Sequence, residues 1–466
     1  MEKEKQNINF NSVIFRAYDI RGVFGDELTC EVVNEIAKAI GTIARQKKQQ
    51  EIVVGRDGRL SSPELNLVLI EGLLSTGINV TDIGIVPTPV TYFASHHLET
   101  NNCVMITGSH NAAEYNGLKT VIAGESLFAE GIEEIKKNVI SKKYVIGRGT
   151  LRHVDLSTDY IKRILDDIDV STEHKPKIVI DCGNGSAGEI APRLFEELSC
   201  DLITIFSEID GSFPNHHPDP SQPDNLEDLA REVKKENADI GFAFDGDGDR
   251  LGVVDATGNI IWPDKQLMLL AIDVLSRNKG SNIIYDVKCT KHLKSIIESS
   301  HGKPLMWKTG HSFVKQKMYE VDAPLAGEMS GHIFFKERWY GFDDAIYTAA
   351  RFLEIFSKNR KKPTELFQDL PYGVSTPELR MFLKEDEHSN FMGEFSKNIF
   401  ESNAKIISID GLRIEYDDAW GLVRPSNTSP YIIFRFEADT GLALERIQVE
   451  FRNIIISFRK DMEIPF

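Results

Sequence analysis

The chemically dense stretches of this sequence are short, well separated and rich in oxygen donors. Asp245-Gly-Asp-Gly-Asp-Arg250 sets three carboxylates within five residues, with glycines that let the chain wrap. Hard oxygen donors in that number suit Mg²⁺. A solvated acidic turn is the plainer reading, but three aspartates abutting the apolar run Ile240 to Phe244 would repel one another without a cation. The loop is a poor EF-hand, whose sixth and twelfth positions want Gly and Glu where this chain has Arg250 and Ala256. Arg250, fixed beside the loop, could grip a phosphoryl oxygen in bidentate fashion.

Thr107-Gly-Ser-His-Asn111 follows the apolar run Cys103 to Ile106. Gly108 would free the backbone for a sharp turn that presents Ser109. Alone, such a serine reads as a turn or capping residue. Lys119 tilts the balance, because its ammonium could meet phosphate charge, or handle a hydroxyl proton if its pKa is lowered. Gly327-Glu-Met-Ser-Gly-His332 gathers a carboxylate, a hydroxyl and an imidazole suited to sugar hydroxyls, although alone it reads equally as a turn with a structural histidine. Lys288 and Lys308-Thr-Gly-His-Ser312 are further polar groups at strand ends. Arg424-Pro-Ser-Asn-Thr-Ser-Pro430 is either a clamp for a phosphate dianion or a Pro-rich hairpin connection.

One segment points elsewhere. Gly183-Asn-Gly-Ser-Ala-Gly188 follows an apolar run, opens a helix and has Glu208 downstream, which satisfies the dinucleotide fingerprint. An NAD-dependent oxidoreductase is therefore a competing reading of that unit, but it leaves the aspartate loop and Arg424 to Pro430 without a task. A serine hydrolase using Ser109 with His110 lacks Gly-x-Ser-x-Gly, and adjacent side chains rarely face one another.

The elements that must position these groups alternate between apolar runs and amphipathic segments. Ile52 to Gly55, a helix near Pro63 to Ser75, Ile78 to Ile83 and Cys103 to Ile106 form one α/β unit. Lys177 to Cys182, a helix ending near Leu198, Leu202 to Phe206, a helix around Leu226 to Lys235, and Ile240 to Phe244 form a second. Ile283 to Val287, helices at Lys291 to Glu298 and Ser312 to Tyr319, Leu305 to Trp307 and Pro324 to Ala326 form a third. In each, the dense segment follows a strand, where open α/β sheets place ligands. After these, Leu379 to Leu383, Lys405 to Ile409, Leu412 to Tyr416, Trp420 to Val423 and Tyr431 to Phe436, with helices at Ser389 to Phe400 and Leu442 to Phe458, read as an antiparallel α+β domain. The expected domains are 1–153, 154–258, 259–372 and 373–466.

At 466 residues a multi-domain chain is the default, and 41% hydrophobic with 27% charged residues is an ordinary globular composition. No apolar run is long enough to cross a bilayer, and the charged Met1 to Asn7 is no secretory signal, so a cytoplasmic protein without membrane contact is expected. Five scattered cysteines without Cys-x-x-Cys indicate buried or idle thiols. A net charge of −17 argues against a nucleic-acid partner, while leaving room for a small anion focused in one cleft.

The order of the motifs resembles the α-D-phosphohexomutases, specifically the bacterial phosphomannomutase/phosphoglucomutase branch. The resemblance begins at Phe15-Arg-Ala-Tyr-Asp-Ile-Arg-Gly22 and runs through Thr107 to Asn111, Asp245 to Arg250, Lys308 to Ser312, Gly327 to His332 and Arg424 to Pro430. It implies an α/β fold: three similar mixed-sheet α/β domains plus a smaller C-terminal α+β domain around a central cleft, the last closing over the substrate. It implies that Ser109 is the phosphoserine, held with Mg²⁺ by Asp245, Asp247 and Asp249, beside Arg250. Glu328 and Ser330 resemble the pair that grips the sugar O3 and O4. Arg424, Ser426, Asn427 and Thr428 resemble the clamp on the non-reacting phosphate. Tyr18, Lys288, Thr309, Gly310 and His311 resemble further substrate contacts, and Arg21, Lys119 and His332 match positions proposed for proton handling or transition-state charge.

The implied reaction is an intramolecular phosphotransfer. Phospho-Ser109 donates to the free C1 or C6 hydroxyl of a hexose monophosphate, and the resulting hexose 1,6-bisphosphate, also the expected activator, turns over and returns its other phosphoryl group to Ser109. The partners implied are small-molecule sugar phosphates, for a monomer or small homo-oligomer. Met329 in the sugar loop resembles the mannose/glucose branch, with weaker activity expected on glucosamine 1-phosphate. Two departures are Ala112-Ala113, where many relatives carry a proline after the asparagine, and Pro425, where a small residue is common.

Overall fold

Runs of valine and isoleucine form the strands that carry the chemistry, in a computed structural model that describes residues 12–170, 175–399, 404–426 and 430–466. The described residues form two units, one running to Pro263 and including Ser330–Phe367, the other comprising Asp264–Met329 and Gln368–Phe466. All five cysteines are free thiols, and Cys103, Cys182 and Cys289 are buried. Among the described residues no helix is long and apolar enough to cross a membrane.

In the first unit, Glu51–Arg56 lies between Asn79–Ile85 and Cys103–Ile106 in parallel register, with Val53 opposite both Thr81 and Cys103. Parallel strands buried on both faces need helical cover. Cys30–Gln46 supplies part of it, started by the Thr29 hydroxyl accepting the Val32 N–H and buried through Val33, Ile36, Ile40 and Ile43. The sheet turns antiparallel at one side: Tyr115–Ile122 pairs with Cys103–Ile106, and Ile20–Val23 pairs with Tyr115–Ile122. The sequence pattern does not announce Tyr115–Ile122, because Asn116, Gly117, Lys119 and Thr120 break its apolar run. Its register sets Lys119 opposite Met105 and Arg21 opposite Gly117, beside the strand that ends in the serine motif.

A second sheet of this unit runs Ile260–Ile261, Leu251–Asp255, Ile240–Phe244, Lys177–Asp181 and Asp201–Ile205. Ile240–Phe244 is parallel to Lys177–Asp181 and antiparallel to Leu251–Asp255, with Phe244 opposite Leu251. The aspartate loop is therefore the connection of a hairpin, held at both ends by ladder hydrogen bonds.

In the second unit, Asn282–Asp286 is flanked in parallel by Lys303–Trp307 and Leu325–Gly327. Asp286 stands opposite Trp307, and Tyr285 opposite Gly327, so three strand ends open side by side. The antiparallel sheet of the same unit orders Val374–Ser375, Tyr431–Ala438, Ala419–Pro425, Leu412–Glu415 and Lys405–Ile407, with Leu379–Phe382 also pairing Tyr431–Ala438. Helices Glu385–Lys397 and Gly441–Phe458 belong with it, and Phe391, Phe395, Phe436, Phe451 and Ile454 share one core.

Candidate active site

Ser109 sits one turn beyond the strand Cys103–Ile106 and is almost fully buried. Its own φ is +49°, in the left-handed region. The expectation that Gly108 supplies the conformational freedom is corrected by this geometry. Gly108 is needed for space instead, since a Cβ there would meet Arg59 Cζ and Nε at 2.5 Å. The Ser109 hydroxyl donates to Asp245 Oδ2 at 2.9 Å and lies 3.2 Å from His110 Nδ1. Burial, with Arg250 and Arg21 nearby, drives His110 well below the usual histidine range, so this imidazole is neutral.

The three aspartates converge, with one oxygen of each within 4.8 Å of the others. Gly246 lets the loop approach the serine turn, because a Cβ there would lie 2.6 Å from the Ser109 carbonyl oxygen. Lys119 Nζ donates to Asp247 Oδ2 at 2.7 Å and Asp249 Oδ2 at 2.5 Å. Burial alone would lower Lys119, but Asp247 and Asp249 overcome it and hold the ammonium charged above the usual lysine range. Burial also works against Asp247, yet Lys119 and the Thr88 hydroxyl at 2.5 Å keep it below the usual carboxylate range. Asp245 accepts the Ser109 hydroxyl and the Asp249 and Arg250 N–H groups, yet burial, with Asp247 and Asp249 alongside, raises it well above that range. Asp247 Oδ1 and Asp249 Oδ1 are buried and accept no hydrogen bond among the described residues. Hard, dry oxygens aimed at one point fit a small divalent cation.

His332 joins the same group. Its Nε2 accepts the Arg250 Nε–H at 3.0 Å, while Nδ1 lies 3.1 Å from Asp343 Oδ2 and 3.6 Å from Asp249 Oδ1. Asp343 was missed in the sequence, where it is one of two adjacent aspartates with no pattern to mark it. Arg21 donates to Asn111 Oδ1 in the serine motif and to Asp19 Oδ2 at 2.6 Å. Ser109, Lys119, Arg250, His332 and the three aspartates are thus brought together, with Arg21 attached through Asn111. Tyr18 is half-buried just before Ile20–Val23, and Ser330 is half-buried in the same unit.

The second unit gathers the other groups. Lys288 Nζ donates to Glu378 Oε1 at 2.5 Å and lies 3.8 Å from Asp286 Oδ2. Burial opposes ionisation of Glu378, but Lys288 brings the carboxyl down to about 2. The Gly310 N–H donates to Glu328 Oε1. The Thr309 N–H donates to Asp410 Oδ2 at 3.0 Å, and Asp410 also pairs with Arg424 Nε at 3.1 Å. Thr309 and Arg424 are therefore linked through one carboxylate. His311 begins the helix His311–Val321, half-buried. The Ser426 N–H donates to the Tyr431 carbonyl at 2.8 Å across the hairpin. Asn427 and Thr428 lie outside the described residues. Asp286, Glu378 and Asp410 escaped sequence reading because each acts on a segment distant in the chain.

The dinucleotide reading of Gly183 to Gly188 meets a filled space. A Cβ at Gly185 would lie 2.9 Å from Gly246 Cα, and one at Gly188 would lie 2.0 Å from the Ser207 carbonyl oxygen. The Ser186 N–H donates to the Gly246 carbonyl at 3.0 Å. These glycines admit the aspartate loop and the neighbouring chain in place of a pyrophosphate, and a short 3-10 turn, Ser186–Gly188, precedes the helix Ile190–Glu197.

Mixed α/β sheets whose strand ends carry a hydroxyl, a carboxylate triad and cations define a phosphotransferase-type enzyme. The phosphoglucomutase/phosphomannomutase family models match in order: alpha/beta/alpha domain I over residues 12–145, domain II over 158–258, domain III over 262–372 and the C-terminal domain over 385–454. A phosphomannomutase/phosphoglucomutase of Pseudomonas aeruginosa is 51% identical over 97% of both chains. A phosphoglucomutase of Neisseria gonorrhoeae is 47% identical over 95% of this chain and 97% of its own. A crystal structure of a phosphoglucomutase/phosphomannomutase family protein from Burkholderia thailandensis superposes with a TM-score of 0.93 at 46% identity, covering 98% of this chain and all of the other. This chain belongs to the phosphoglucomutase/phosphomannomutase family, in its bacterial branch.

Proposed function

We propose that the protein interconverts the 1-phosphate and 6-phosphate of mannose and glucose through phospho-Ser109 and a hexose 1,6-bisphosphate, which also serves as activator. The observation that carries this reading is the Ser109 hydroxyl donating to Asp245 inside a triad whose other two members are held by Lys119. In each half-cycle a phosphorus–oxygen bond forms to one oxygen as the bond to the other breaks, so Ser109 Oγ alternates between leaving group and nucleophile. Asp245, Asp247 and Asp249, with an oxygen of residue 109, would hold Mg²⁺, which when bound supplies positive charge against the transferring phosphoryl oxygens. Arg250 and Lys119 add fixed charge beside the same oxygens. Arg21, Lys119 and His332 serve proton handling or transition-state charge in this reading: Lys119, held charged, supplies charge, while His332 is the imidazole of the group, its Nε2 accepting from Arg250 and its Nδ1 lying beside Asp343.

Recognition of the sugar falls to Glu328 and Ser330, and of the non-reacting phosphate to Arg424, Ser426, Asn427 and Thr428. Tyr18, Lys288, Thr309, Gly310 and His311 complete the substrate contacts. The domain divisions 1–153, 154–258, 259–372 and 373–466 belong to this reading, supported by the order and spans of the four family models. So does a cytoplasmic setting with small sugar phosphates as partners, for a monomer or small homo-oligomer. The test is a side-by-side assay of mannose, glucose and glucosamine 1-phosphates with Mg²⁺ and a bisphosphate, together with peptide mass analysis for phosphate on Ser109. A clear preference for the amino sugar, phosphate elsewhere, or full activity in Ser109→Ala would overturn it.

A further inference from the structure

Arg59 carries a charge into the interior of the first unit, and the reaction outlined above gives it no task. The residue is 1% exposed and follows the strand Glu51–Arg56. Its Nε donates to Asp57 Oδ2 at 3.1 Å. Its two terminal nitrogens are filled by the backbone of the serine loop: Nη2 donates to the carbonyls of Ser109 at 2.7 Å and Asn111 at 2.6 Å, and Nη1 to those of Ala112 at 2.5 Å and Tyr115 at 3.0 Å. Asp57 completes the cradle by accepting the Gly108 N–H at 3.1 Å, the Arg59 N–H at 3.1 Å and the Ser62 hydroxyl at 2.6 Å. A buried guanidinium is tolerated only when its donors are satisfied, and here one loop satisfies most of them. That loop holds a non-glycine residue, the serine itself, at φ +49°. Backbone in this region persists where the surroundings over-determine it.

We propose that Arg59 is the positioning residue of the nucleophile: its planar fork fixes the carbonyls of Ser109 and of the residues that follow it while its partner Asp57 holds the Gly108 N–H, which keeps Ser109 left-handed and aims the hydroxyl at Asp245. A lysine could keep the charge beside Asp57 but cannot present five donors in one plane. Gly108 belongs to the same device, since a side chain there would push directly on the Arg59 guanidinium.

The inference rests on the phosphoserine reading, and the experiment separates the two. Wild type, Arg59→Lys and Gly108→Ala are compared for mutase kcat and KM, for the single-turnover rate of phosphoryl transfer from labelled phosphoenzyme to glucose 1-phosphate, and for calorimetric binding of glucose 1-phosphate to dephospho-protein. A misplacement of the order of an ångström costs about 100-fold in rate. The expected result is that each variant loses about 100-fold in kcat and in single-turnover rate, with KM and binding within twofold of wild type. The double variant should be no worse than the more impaired single variant, because both act on one contact. A purely structural role would lower thermal stability without this separation of kcat from KM. Folded Arg59→Lys with kcat within threefold of wild type overturns the inference; if that variant does not fold, normal turnover in Gly108→Ala overturns it equally. A wild-type protein without mutase activity or phospho-Ser109 defeats the functional reading instead.

Discussion

Replacing Lys119 by methionine removes a cation that contacts both Asp247 and Asp249, and the consequence can be worked from their geometry. The ammonium is 2.7 and 2.5 Å from the two carboxylates, and all three side chains are buried. Breaking a buried pair by deleting one partner costs about 3–5 kcal/mol, and here the deletion leaves two carboxylates. Within 4.8 Å of one another, they repel by about 3.5 kcal/mol at an effective dielectric of 20. A loss near the upper end, about 5 kcal/mol, is expected in chelator. At about 2–4 °C per kcal/mol for a domain of 150–250 residues, the first transition should fall by about 10–20 °C. Lys119 is raised in the folded state, so its contribution is fully present below the usual lysine value of 10.5 and is lost only as pH climbs through the higher folded value. The difference should therefore be flat between pH 7 and 9. Millimolar Mg²⁺ should recover more of the melting temperature in Lys119→Met than in wild type, because the freed carboxylates bind it better. Scanning calorimetry with chelator and with Mg²⁺ decides the matter. A variant that melts within 2 °C of wild type in chelator, or that gains no more from Mg²⁺, refutes the charge-balance argument.

Asp343→Asn should lower kcat by about 100-fold while moving KM little, because it removes the carboxylate 3.1 Å from His332 Nδ1; steady-state kinetics read this, and an unchanged kcat excludes the role given to that pair. Burial raises Asp344 from 3.8 to about 7, so the folded state holds a proton that the unfolded chain lacks between those values, and stability falls as pH rises through that window. Asp344→Asn keeps an acceptor for the Tyr347 N–H and should match wild type near pH 4 but exceed it by up to about 4 kcal/mol at pH 8, measured by denaturant titration at both pH values. Gly185→Ala should weaken Mg²⁺ binding and activity at least tenfold by displacing Gly246, and neither form should bind NAD on titration. Activity surviving intact in this variant would detach the glycine segment from the aspartate loop.

What the sequence made legible was local. Ile240 to Phe244 is a continuous apolar run, and the three aspartates after it are neighbours in the chain, so strand, loop and ligand set read together. Tyr115–Ile122 stayed hidden because its side chains serve the site more than the core: Lys119 points at carboxylates more than 120 residues away. Asp343, Arg59 and Asp286 were equally silent, since each acts on a segment that only sheet register or a long connection brings near. The glycines of Gly183 to Gly188 carry a further lesson. A glycine pattern reports that backbone must approach closely, but the identity of what approaches is a tertiary fact, here the aspartate loop. Ser109 inverts the usual inference, for the residue next to a glycine took the left-handed conformation and the glycine made room for a guanidinium.

The unequal treatment of the three aspartates leads to a last expectation. Lys119 contacts Asp247 and Asp249, whereas Asp245 receives the Ser109 hydroxyl. As a neutral donor, that hydroxyl is compatible with a carboxylate 2.9 Å away. A phosphoryl group on Ser109 removes the donor and brings between one and two negative charges against the same oxygen. Lys119 is already engaged, so the added charge must be offset by another cation or the loop must open. Phosphorylation and Mg²⁺ binding are then linked, and linkage in binding free energy is reciprocal: the phosphorylated protein should hold Mg²⁺ at least tenfold more tightly, and Mg²⁺ should protect the loop more strongly in that form. Calorimetric titration of Mg²⁺ into fully phosphorylated and fully dephosphorylated protein measures the factor directly. Equal affinities would mean that the phosphoryl charge is met by side chains alone, with Arg250 at the end of the loop a remaining candidate, and that the aspartate triad is indifferent to the state of the serine it contacts.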